Sequence, residues 1–88
     1  MKRHFSARAD KQYQEWHKTD KRTLRKILDL LDDIEDNGFD KGLGKPEQLK
    51  HFETPTYSRR IDKSNRLVYR PCGKNDVYII SCKGHYED

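Results

Sequence analysis

The sequence predicts an α+β fold in which two N-terminal helices pack on one face of a small antiparallel sheet. Two observations predict it. Apolar residues recur with helical spacing before residue 38, whereas short runs of aromatic and β-branched residues, separated by polar turns, follow residue 56. Helices that precede an antiparallel sheet cover one of its faces, and the other face is then open to solvent or to a ligand.

The composition indicates a single small domain, residues 1–88, with a thin hydrophobic core. Hydrophobic residues make up 32% of the chain, charged residues 39%, and the net charge is +4. This balance favours an anionic partner, although a solvated surface with a small lysine excess would give the same total. Two cysteines make no disulfide framework, and neither a signal peptide nor a membrane-spanning run is visible. We therefore expect a reduced, cytoplasmic protein.

The first helix is expected to begin after Ser6, which is a suitable N-cap, and residues 1–5 can form a short strand before it. Ala9, Tyr13 and Trp16 share one face of this helix. Aromatic residues at helical spacing are more often packed in a core than exposed for stacking on RNA, so we assign this face to the core.

The second helix is expected to begin after an N-cap at Thr19 or Asp20 and to end at Asn37-Gly38, where glycine can adopt a positive φ. Its predicted apolar stripe, from which Leu30 is excluded, consists of Leu24, Ile27, Leu28, Leu31 and Ile34. Acidic residues collect at its C-terminal end, which the helix dipole disfavours. We expect these acids to meet a basic partner or the domain's own arginines.

Residues 38–56 are rich in glycine and proline and predict an irregular loop that can deliver charged side chains to a nearby site. Three antiparallel strands are expected after it. Two of them form a hairpin over residues 57–69, and a turn at 72–76 leads to the third strand at 77–82. The third strand is the most apolar and is expected to be central.

Three arginines, Arg59, Arg60 and Arg66, lie in the expected hairpin. Strands seldom carry arginine unless one face looks onto solvent or onto an anion. Two arginine-bearing strands side by side would offer bidentate donors to a phosphate group. The rest of the chain then either supports this cationic surface or supplies acid and base groups beside it.

The turn of the hairpin decides whether Arg60 and Arg66 share a face of the sheet. Ile61 is expected to point toward the helices, so alternation turns Arg60 to the opposite face of the sheet. Arg66 shares that face only if it lies opposite Arg60 across the hairpin, or if another pair of residues gives the same alternation. A three-residue turn followed by Asn65 in a left-handed bulge conformation would give that pairing. A plain four-residue turn would bury an arginine or expose Ile61.

Charged residues that this fold brings near the arginines can act as acid and base. The turn at 72–76 carries the end of the last strand back beside Arg66, so His85 should lie near Arg66. The predicted group contains no serine or cysteine nucleophile beside a base and no glycine-rich phosphate loop. Its members are Glu47, Lys50, Arg60, Arg66, His85 and Tyr86.

Such a group suits cleavage of RNA by the RNA's own 2′-hydroxyl. A base removes the 2′ proton, arginine stabilises the charged phosphorane, and an acid protonates the departing 5′ oxygen. No cofactor or metal is needed, and Cys82 with His85 supplies only two of the four ligands of a structural zinc site. Taken singly, His85 is more often a surface histidine and Glu47 a solvated loop residue, so the prediction depends on the group. Which of the two is base and which is acid stays open.

Four motifs, in this order along the chain, resemble the YoeB/Txe toxins, which belong to the RelE/ParE superfamily of bacterial toxin–antitoxin systems. The motifs are Lys45-Pro46-Glu47 followed by Leu49-Lys50, the run Tyr57-Ser58-Arg59-Arg60-Ile61, the run Arg66-Leu67-Val68-Tyr69, and the closing Ser81-Cys82-Lys83-Gly84-His85-Tyr86. The resemblance covers nearly the whole chain and implies a microbial-RNase-like α+β domain. One segment departs from the family pattern, since the link 51–56 lacks the Leu-Ser-Gly found in many members.

The resemblance implies a ribosome-dependent mRNA endoribonuclease that cuts in the ribosomal A site and inhibits translation. It also implies a YefM/Axe-like antitoxin, binding of the toxin–antitoxin complex to its own operator DNA, and a possible homodimer. In that family glutamate is the usual candidate base and histidine the usual acid. The family's catalytic positions correspond to Glu47, Arg66 and His85, and its substrate-binding positions to Lys50, Arg60 and Tyr86.

Two alternatives belong to other classes of function. A non-catalytic ParE-like toxin would share the fold and bind a protein target such as gyrase, but such relatives generally lack the histidine-tyrosine end. A basic RNA- or DNA-binding module would have no chemistry at all. Loss of His85 separates the classes, because it should abolish cleavage and leave binding nearly intact, whereas loss of Arg60 should weaken both.

Overall fold

The computed structural model describes residues 1–85, in which two helices pack against a five-stranded sheet. In chain order the elements are β1 (Arg3–Phe5), α1 (Ala7–Thr19), α2 (Lys21–Asn37), β2 (Glu47–Gln48), β3 (Tyr57–Arg60), β4 (Arg66–Cys72) and β5 (Asp76–Ser81). The α+β class expected from the sequence is confirmed. Residues 86–88 lie outside the described part of the chain.

The strands are ordered β1-β5-β4-β3-β2, and the sheet is mixed rather than wholly antiparallel. β2 to β5 form an antiparallel meander, whereas β1 runs parallel to β5. The chain that connects β1 to β5 contains both helices, and a crossover connection of that length permits the two strands to pair in parallel. β4 is therefore the middle strand of the five, and β5, which was expected to be central, is an interior strand that pairs with β1 on one side and with β4 on the other.

Both helices begin at side-chain caps. The Ser6 hydroxyl accepts a hydrogen bond from the Ala9 amide at 3.0 Å. Asp20 ends α1 and begins α2, and its Oδ1 accepts the amides of Arg22 and Thr23, both at 3.1 Å. Caps of this kind supply partners for amides that have none within the helix. Within residues 1–85, no helix combines the length and apolar character needed to cross a membrane.

The buried stripe of α2 differs from the predicted one at Leu30. Leu30 is fully buried, whereas Leu24 and Leu28 at the predicted edge are only half-buried. The loop after α2 explains the difference, because Gly44 approaches so closely that a Cβ there would lie 3.0 Å from a methyl carbon of Leu30. The fully or almost fully buried residues of α2 are Ile27, Leu30, Leu31 and Ile34.

Aromatic rings fix the loop after α2 onto the sheet. Phe39 stacks on Tyr57 and Tyr69, with ring centroids 6.1 and 6.2 Å away. Further along, the carbonyl oxygen of Gly44 accepts the Arg60 amide at 2.6 Å. The loop is thus attached to β3 at both ends, and the chain that leaves it enters β2.

The aromatic face of α1 packs against the core, as its spacing predicted. Tyr13 packs edge-to-face on Phe5 at a centroid distance of 5.2 Å. Trp16 donates its indole N–H to the carbonyl oxygen of Cys82 at 2.9 Å. The Cys82 amide in turn donates to Gln12 Oε1 at 2.7 Å. α1 therefore holds the chain where it leaves β5.

Candidate active site

Arg60 and Arg66 face each other across the β3–β4 hairpin, as the sequence pattern predicted. Their neighbours Ile61 and Leu67 are buried in the core, so alternation turns both arginines to the opposite face of the sheet. Arg60 is exposed, and the Arg66 side chain keeps 15% of its exposure. We call this pair and the surface around it the arginine face.

The turn that produces this pairing differs from the predicted one in the conformation of Asn65. Residues 61–65 form the loop, and the Asp62 carboxylate closes it by accepting the amides of Ser64 and Asn65, both at 2.8 Å. Asn65 does not have a positive φ, so the left-handed conformation expected for it is wrong. An aspartate side chain can stabilise a turn in this way without a left-handed residue.

Glu47 reaches the arginine face through β2, a two-residue strand inside the segment expected to be irregular. Glu47 lies opposite Ser58 of β3, and its Oε1 is 3.8 Å from Nη1 of Arg66. That distance is too long for a hydrogen bond. The Glu47 side chain keeps 63% of its exposure, so the ion pair is weak and the carboxylate stays accessible to a ligand.

The backbone beside His85 is attached to the hairpin turn. The Arg66 amide donates to the carbonyl oxygen of Gly84 at 3.0 Å, and the Gly84 amide donates to Asn65 Oδ1 at 2.9 Å. His85 therefore follows directly after a residue that is bonded to Arg66, as the strand pairing predicted. Its ring is exposed and makes no hydrogen bond to any of residues 1–85.

The structure does not bring all six predicted residues into contact. Lys50 is exposed just after β2, and among residues 1–85 no hydrogen bond or ion pair joins it to Glu47 or Arg66. Tyr86 lies outside the described residues. The described site therefore consists of Glu47 and the arginine pair, with the backbone of the residue before His85 beside them.

Arg59 does not belong to the arginine face. It is fully buried on the helix side of β3, where its Nε donates to the Tyr69 hydroxyl at 2.8 Å and its Nη1 to Asp33 Oδ2 at 2.5 Å. The remaining bonds go to loop carbonyl oxygens, those of Leu43 at 3.0 Å, Gly38 at 2.8 Å and Lys41 at 2.6 Å. The five bonds use all five guanidinium donors.

The acidic end of α2 was the sequence signal for this network. The expectation that these acids meet the domain's own arginines is confirmed twice, by Asp33 with Arg59 and by Asp32 with Arg3 at 2.7 Å. Burial raises the pKa of Asp33, but hydrogen bonds from the Leu43 amide, Arg59 and a nearby asparagine outweigh it. The pKa of Asp33 therefore lies below its ordinary value, and the carboxylate is ionised at neutral pH.

The Tyr69 hydroxyl connects this network to the loop, because it accepts from Arg59 and donates to the carbonyl oxygen of Phe39 at 2.5 Å. Burial raises the pKa of Tyr69 to about 12, and the nearby Arg59 charge offsets only part of that shift. The hydroxyl thus stays protonated at neutral pH and remains a donor.

Two other features of residues 1–85 concern cysteine chemistry and metal binding. Burial raises the pKa of Cys82 to about 11, and the Glu15 charge adds to the shift, so this thiol is not a thiolate nucleophile at neutral pH. Within residues 1–85, no three His, Cys, Asp or Glu side chains are grouped so that they could hold a metal ion.

Solved bacterial toxins share this fold. A toxin from Helicobacter pylori, 15% identical, superposes with a TM-score of 0.81 over 97% of this chain and 94% of its own. An identity this low shows the fold alone. The chain therefore belongs to the class of small α+β proteins with this fold.

The family follows from closer relatives. A family model for the YoeB-like toxin of bacterial type II toxin–antitoxin systems matches residues 5–86. Toxin YoeB of Escherichia coli K12 is 40% identical over 86 residues, which are 98% of this chain and 100% of that protein. The chain belongs to the YoeB-like toxins of bacterial type II toxin–antitoxin systems, and the resemblance seen in its motifs is confirmed.

Solved structures of that family agree with the whole fold. The YoeB dimer from Staphylococcus aureus is 43% identical with a TM-score of 0.91, and covers 98% of each chain. A YoeB/ParE toxin from Agrobacterium tumefaciens is 38% identical with a TM-score of 0.92, over 98% of this chain and 100% of its own. A heterotetrameric YoeB–YefM complex from S. aureus is 43% identical with a TM-score of 0.89, over 98% of both chains.

Proposed function

We propose that this toxin is a ribosome-dependent endoribonuclease that cleaves mRNA in the ribosomal A site and thereby inhibits translation. One observation carries the proposal. Three separate parts of the chain meet at Arg66, because Glu47 lies 3.8 Å from its guanidinium, Arg60 lies opposite it, and the residue before His85 bonds to its amide. Glu47 and His85 supply a carboxylate and an imidazole as acid and base, and the two arginines supply the positive charge, which together suit cleavage of a phosphodiester.

The reaction is attack of the RNA 2′-hydroxyl on the adjacent phosphorus. One of Glu47 and His85 removes the 2′ proton, and the other protonates the 5′ oxygen as the P–O5′ bond breaks. The products are a 2′,3′-cyclic phosphate and a 5′-hydroxyl. Arg66 stabilises the negative charge that develops on the phosphorane oxygens. We assign Lys50, Arg60 and Tyr86 to substrate binding.

The exposed carboxylate supports an enzyme over a plain nucleic-acid-binding module. A surface that only bound phosphate would gain from Arg60 and Arg66 and would lose from Glu47, whose negative charge repels the ligand. Glu47 nevertheless lies on the arginine face with most of its side chain exposed. A general acid or base placed next to the phosphate-binding arginines explains that position.

The partners proposed for this chain follow from the same site and from its relatives. A YoeB toxin from S. aureus is solved with YefM, and a YoeB from the same organism is solved as a dimer. We infer a YefM-like antitoxin for this chain, an operator-binding toxin–antitoxin complex, and a homodimer. The action we propose is cytoplasmic, where the ribosome and its mRNA are found.

Primer extension on mRNA in translating ribosomes tests the activity. The wild-type chain should cleave in the A site, should fail on naked mRNA, and should leave 2′,3′-cyclic phosphate ends. His85→Ala and Glu47→Gln should reduce cleavage by at least about 100-fold, the scale of losing a general acid or base. Their matched controls, His4→Ala on β1 and Glu35→Gln on α2, should cleave normally.

Two results would overturn the proposal. Growth inhibition without any mRNA cleavage would move the assignment to a toxin that binds a protein target. Equal cleavage by wild type and His85→Ala would remove the histidine from the mechanism. The pH dependence of the cleavage rate, measured for Glu47→Gln and for His85→Ala, then assigns base and acid. Loss of the base should remove the acidic limb of the bell-shaped profile, and loss of the acid should remove the alkaline limb.

A further inference from the structure

The chain next to His85 is anchored on two sides. On one side α1 holds Cys82, whose carbonyl oxygen accepts from Trp16 and whose amide donates to Gln12. On the other side the hairpin turn holds Gly84. The Gly84 amide donates to Asn65 Oδ1, and its carbonyl oxygen accepts from the Arg66 amide. Gly84 is thus the last residue with an anchored backbone before His85.

The orientation of the Asn65 amide follows from both of its neighbours. Its Nδ2 donates to the two carboxylate oxygens of Asp62, each at 3.1 Å, and its Oδ1 accepts the Gly84 amide at 2.9 Å. An ionised carboxylate only accepts, and a backbone N–H only donates, so a flipped amide would lose every one of these bonds. The Asp62 carboxylate is fixed in turn by the amides of Ser64 and Asn65.

The Asp62 carboxylate is suited to this task because it is ionised at neutral pH. Burial raises its pKa, but the hydrogen bonds from Asn65 and from the Ser64 amide outweigh burial, so the pKa of Asp62 lies below its ordinary value. Gly84 completes the arrangement with a φ of 88°, which other residues adopt only with strain. A Cβ at Gly84 would meet nothing within 4 Å, so the conformation and not the space requires glycine.

We propose that Asn65, fixed by Asp62, is a positioning residue that holds His85 at the arginine face through the Gly84 amide. This inference rests on the catalytic role proposed for His85. Asn65 has no contact with the reacting atoms in this scheme and acts only through the backbone of its neighbour. Because a displacement of about 1 Å in a catalytic group can cost roughly 100-fold in rate, loss of one anchor should be visible in the chemical step.

A charge-exchange experiment tests the inference. Asn65→Ala removes the anchor, and Asn65→Asp keeps an acceptor for Gly84 but sets a carboxylate against that of Asp62. The double variant Asp62→Asn/Asn65→Asp exchanges the two groups, restores a donor–acceptor pair and keeps the net charge. Lys63→Ala, an exposed residue of the same turn, is the control. Thermal unfolding of each variant shows whether it is folded.

Two readouts are needed, and the first does not depend on activity. Amide hydrogen exchange at Gly84 and the heteronuclear NOE at His85 should show faster exchange and greater motion in Asn65→Ala and Asn65→Asp. Both should return toward wild type in the double variant. In single-turnover cleavage on ribosomes, the two single variants should lose roughly 10- to 100-fold in rate with ribosome binding unchanged, and the double variant should recover.

The possible outcomes separate the two proposals. Unchanged protection of the Gly84 amide in Asn65→Ala would overturn the anchoring role. Lost protection with an unchanged cleavage rate would overturn positioning, and a rate loss that the double variant does not recover would do the same. If the wild-type chain does not cleave mRNA at all, the proposed function fails, and positioning for that reaction fails with it. The exchange data then still decide whether Asn65 orders the backbone at His85.

Discussion

Arg60 and Arg66 lie directly opposite each other on neighbouring strands, with both side chains on one face of the sheet. Like charges in this arrangement destabilise a strand pair by about 0.2–1 kcal/mol. Glu47 approaches Arg66 only to 3.8 Å and is largely exposed, so it relieves little of this repulsion. An anion that binds both arginines would remove the repulsion between them. We therefore expect the protein to bind phosphate more tightly than its net charge alone suggests.

Removing one arginine should therefore stabilise the free protein and weaken its binding to RNA. Arg60→Gln should raise the free energy of unfolding by up to about 1 kcal/mol, while reducing the stabilisation that a short oligonucleotide produces. Arg8→Gln, an exposed site on α1, removes the same charge and should change neither quantity appreciably. Urea unfolding with and without the oligonucleotide measures both. The explanation fails if Arg60→Gln is less stable than Arg8→Gln.

The buried Arg59–Asp33 pair should be far more important for stability than the surface pair beside it. Asp33→Asn leaves a fully buried guanidinium without its counter-ion, which typically costs about 3–5 kcal/mol. Asp32→Asn removes the partner of Arg3, whose ion pair is exposed, and should cost less than about 1 kcal/mol. Urea unfolding of the two adjacent variants tests this. Similar losses would show that the loop carbonyls alone satisfy Arg59.

Acid should destabilise the protein through the same pair. The pKa of Asp33 is lowered in the folded state, so its contribution is fully present above the unfolded value, about 3.9, and is lost as the pH falls through the folded value. The free energy of unfolding should therefore decline below about pH 4, and Asp33→Asn should decline less steeply than wild type. Unfolding curves at fixed ionic strength supply the comparison. They should span roughly pH 2.5 to 6, the range in which carboxylates titrate.

Alkali should destabilise the protein through Tyr69. Its pKa is raised to about 12 in the folded state, so the stability linked to its proton is fully present below the unfolded value, about 10, and is lost as the pH rises toward the folded value. This loss should be on the order of 2 kcal/mol in wild type and absent in Tyr69→Phe. Unfolding followed together with tyrosinate absorbance tests it, and an equal alkaline decline in both proteins would contradict the assignment.

The affinity for an antitoxin should depend strongly on salt. If an acidic antitoxin segment folds over the arginine face, its carboxylates pair with Arg60 and Arg66, and ions in solution screen such pairs. The dissociation rate of the complex should increase as the salt concentration rises. Biolayer interferometry across a salt series measures that rate. An affinity that does not change with salt would place the antitoxin elsewhere.

Periodicity predicted the arginine face because it is a local property of the hairpin. Burial of Ile61 and Leu67 leaves no other choice of face for Arg60 and Arg66, and the register follows from that alternation alone. The proximity of the chain at His85 followed from the same register, carried across one further hairpin. These predictions used contacts between strands that are neighbours in the sequence.

The features that were missed depend on contacts between distant segments. Alternation turns Arg59 toward the helices once Arg60 faces away, but the counter-ion that lets it be buried there is Asp33, on a helix 26 residues earlier. β2 consists of two exposed polar residues, so it has no hydrophobic pattern and forms only because β3 offers it a free edge. Leu30 lies at the edge of the α2 stripe and is buried by a loop whose path the sequence did not indicate.

The parallel pairing of β1 with β5 also has a consequence during synthesis of the chain. The carbonyl oxygen of Lys2 accepts the Val77 amide, and the Lys2 amide donates to Asp76, 74 positions along the chain. A ribosome makes β1 and both helices long before β5, so the first strand has no partner and α1 has no sheet beside it while the middle of the chain is being translated. Contacts of such long range form late in folding. A nascent chain therefore lacks the hydrogen bonds that join Gly84 to the hairpin turn until residues 76–85 have emerged.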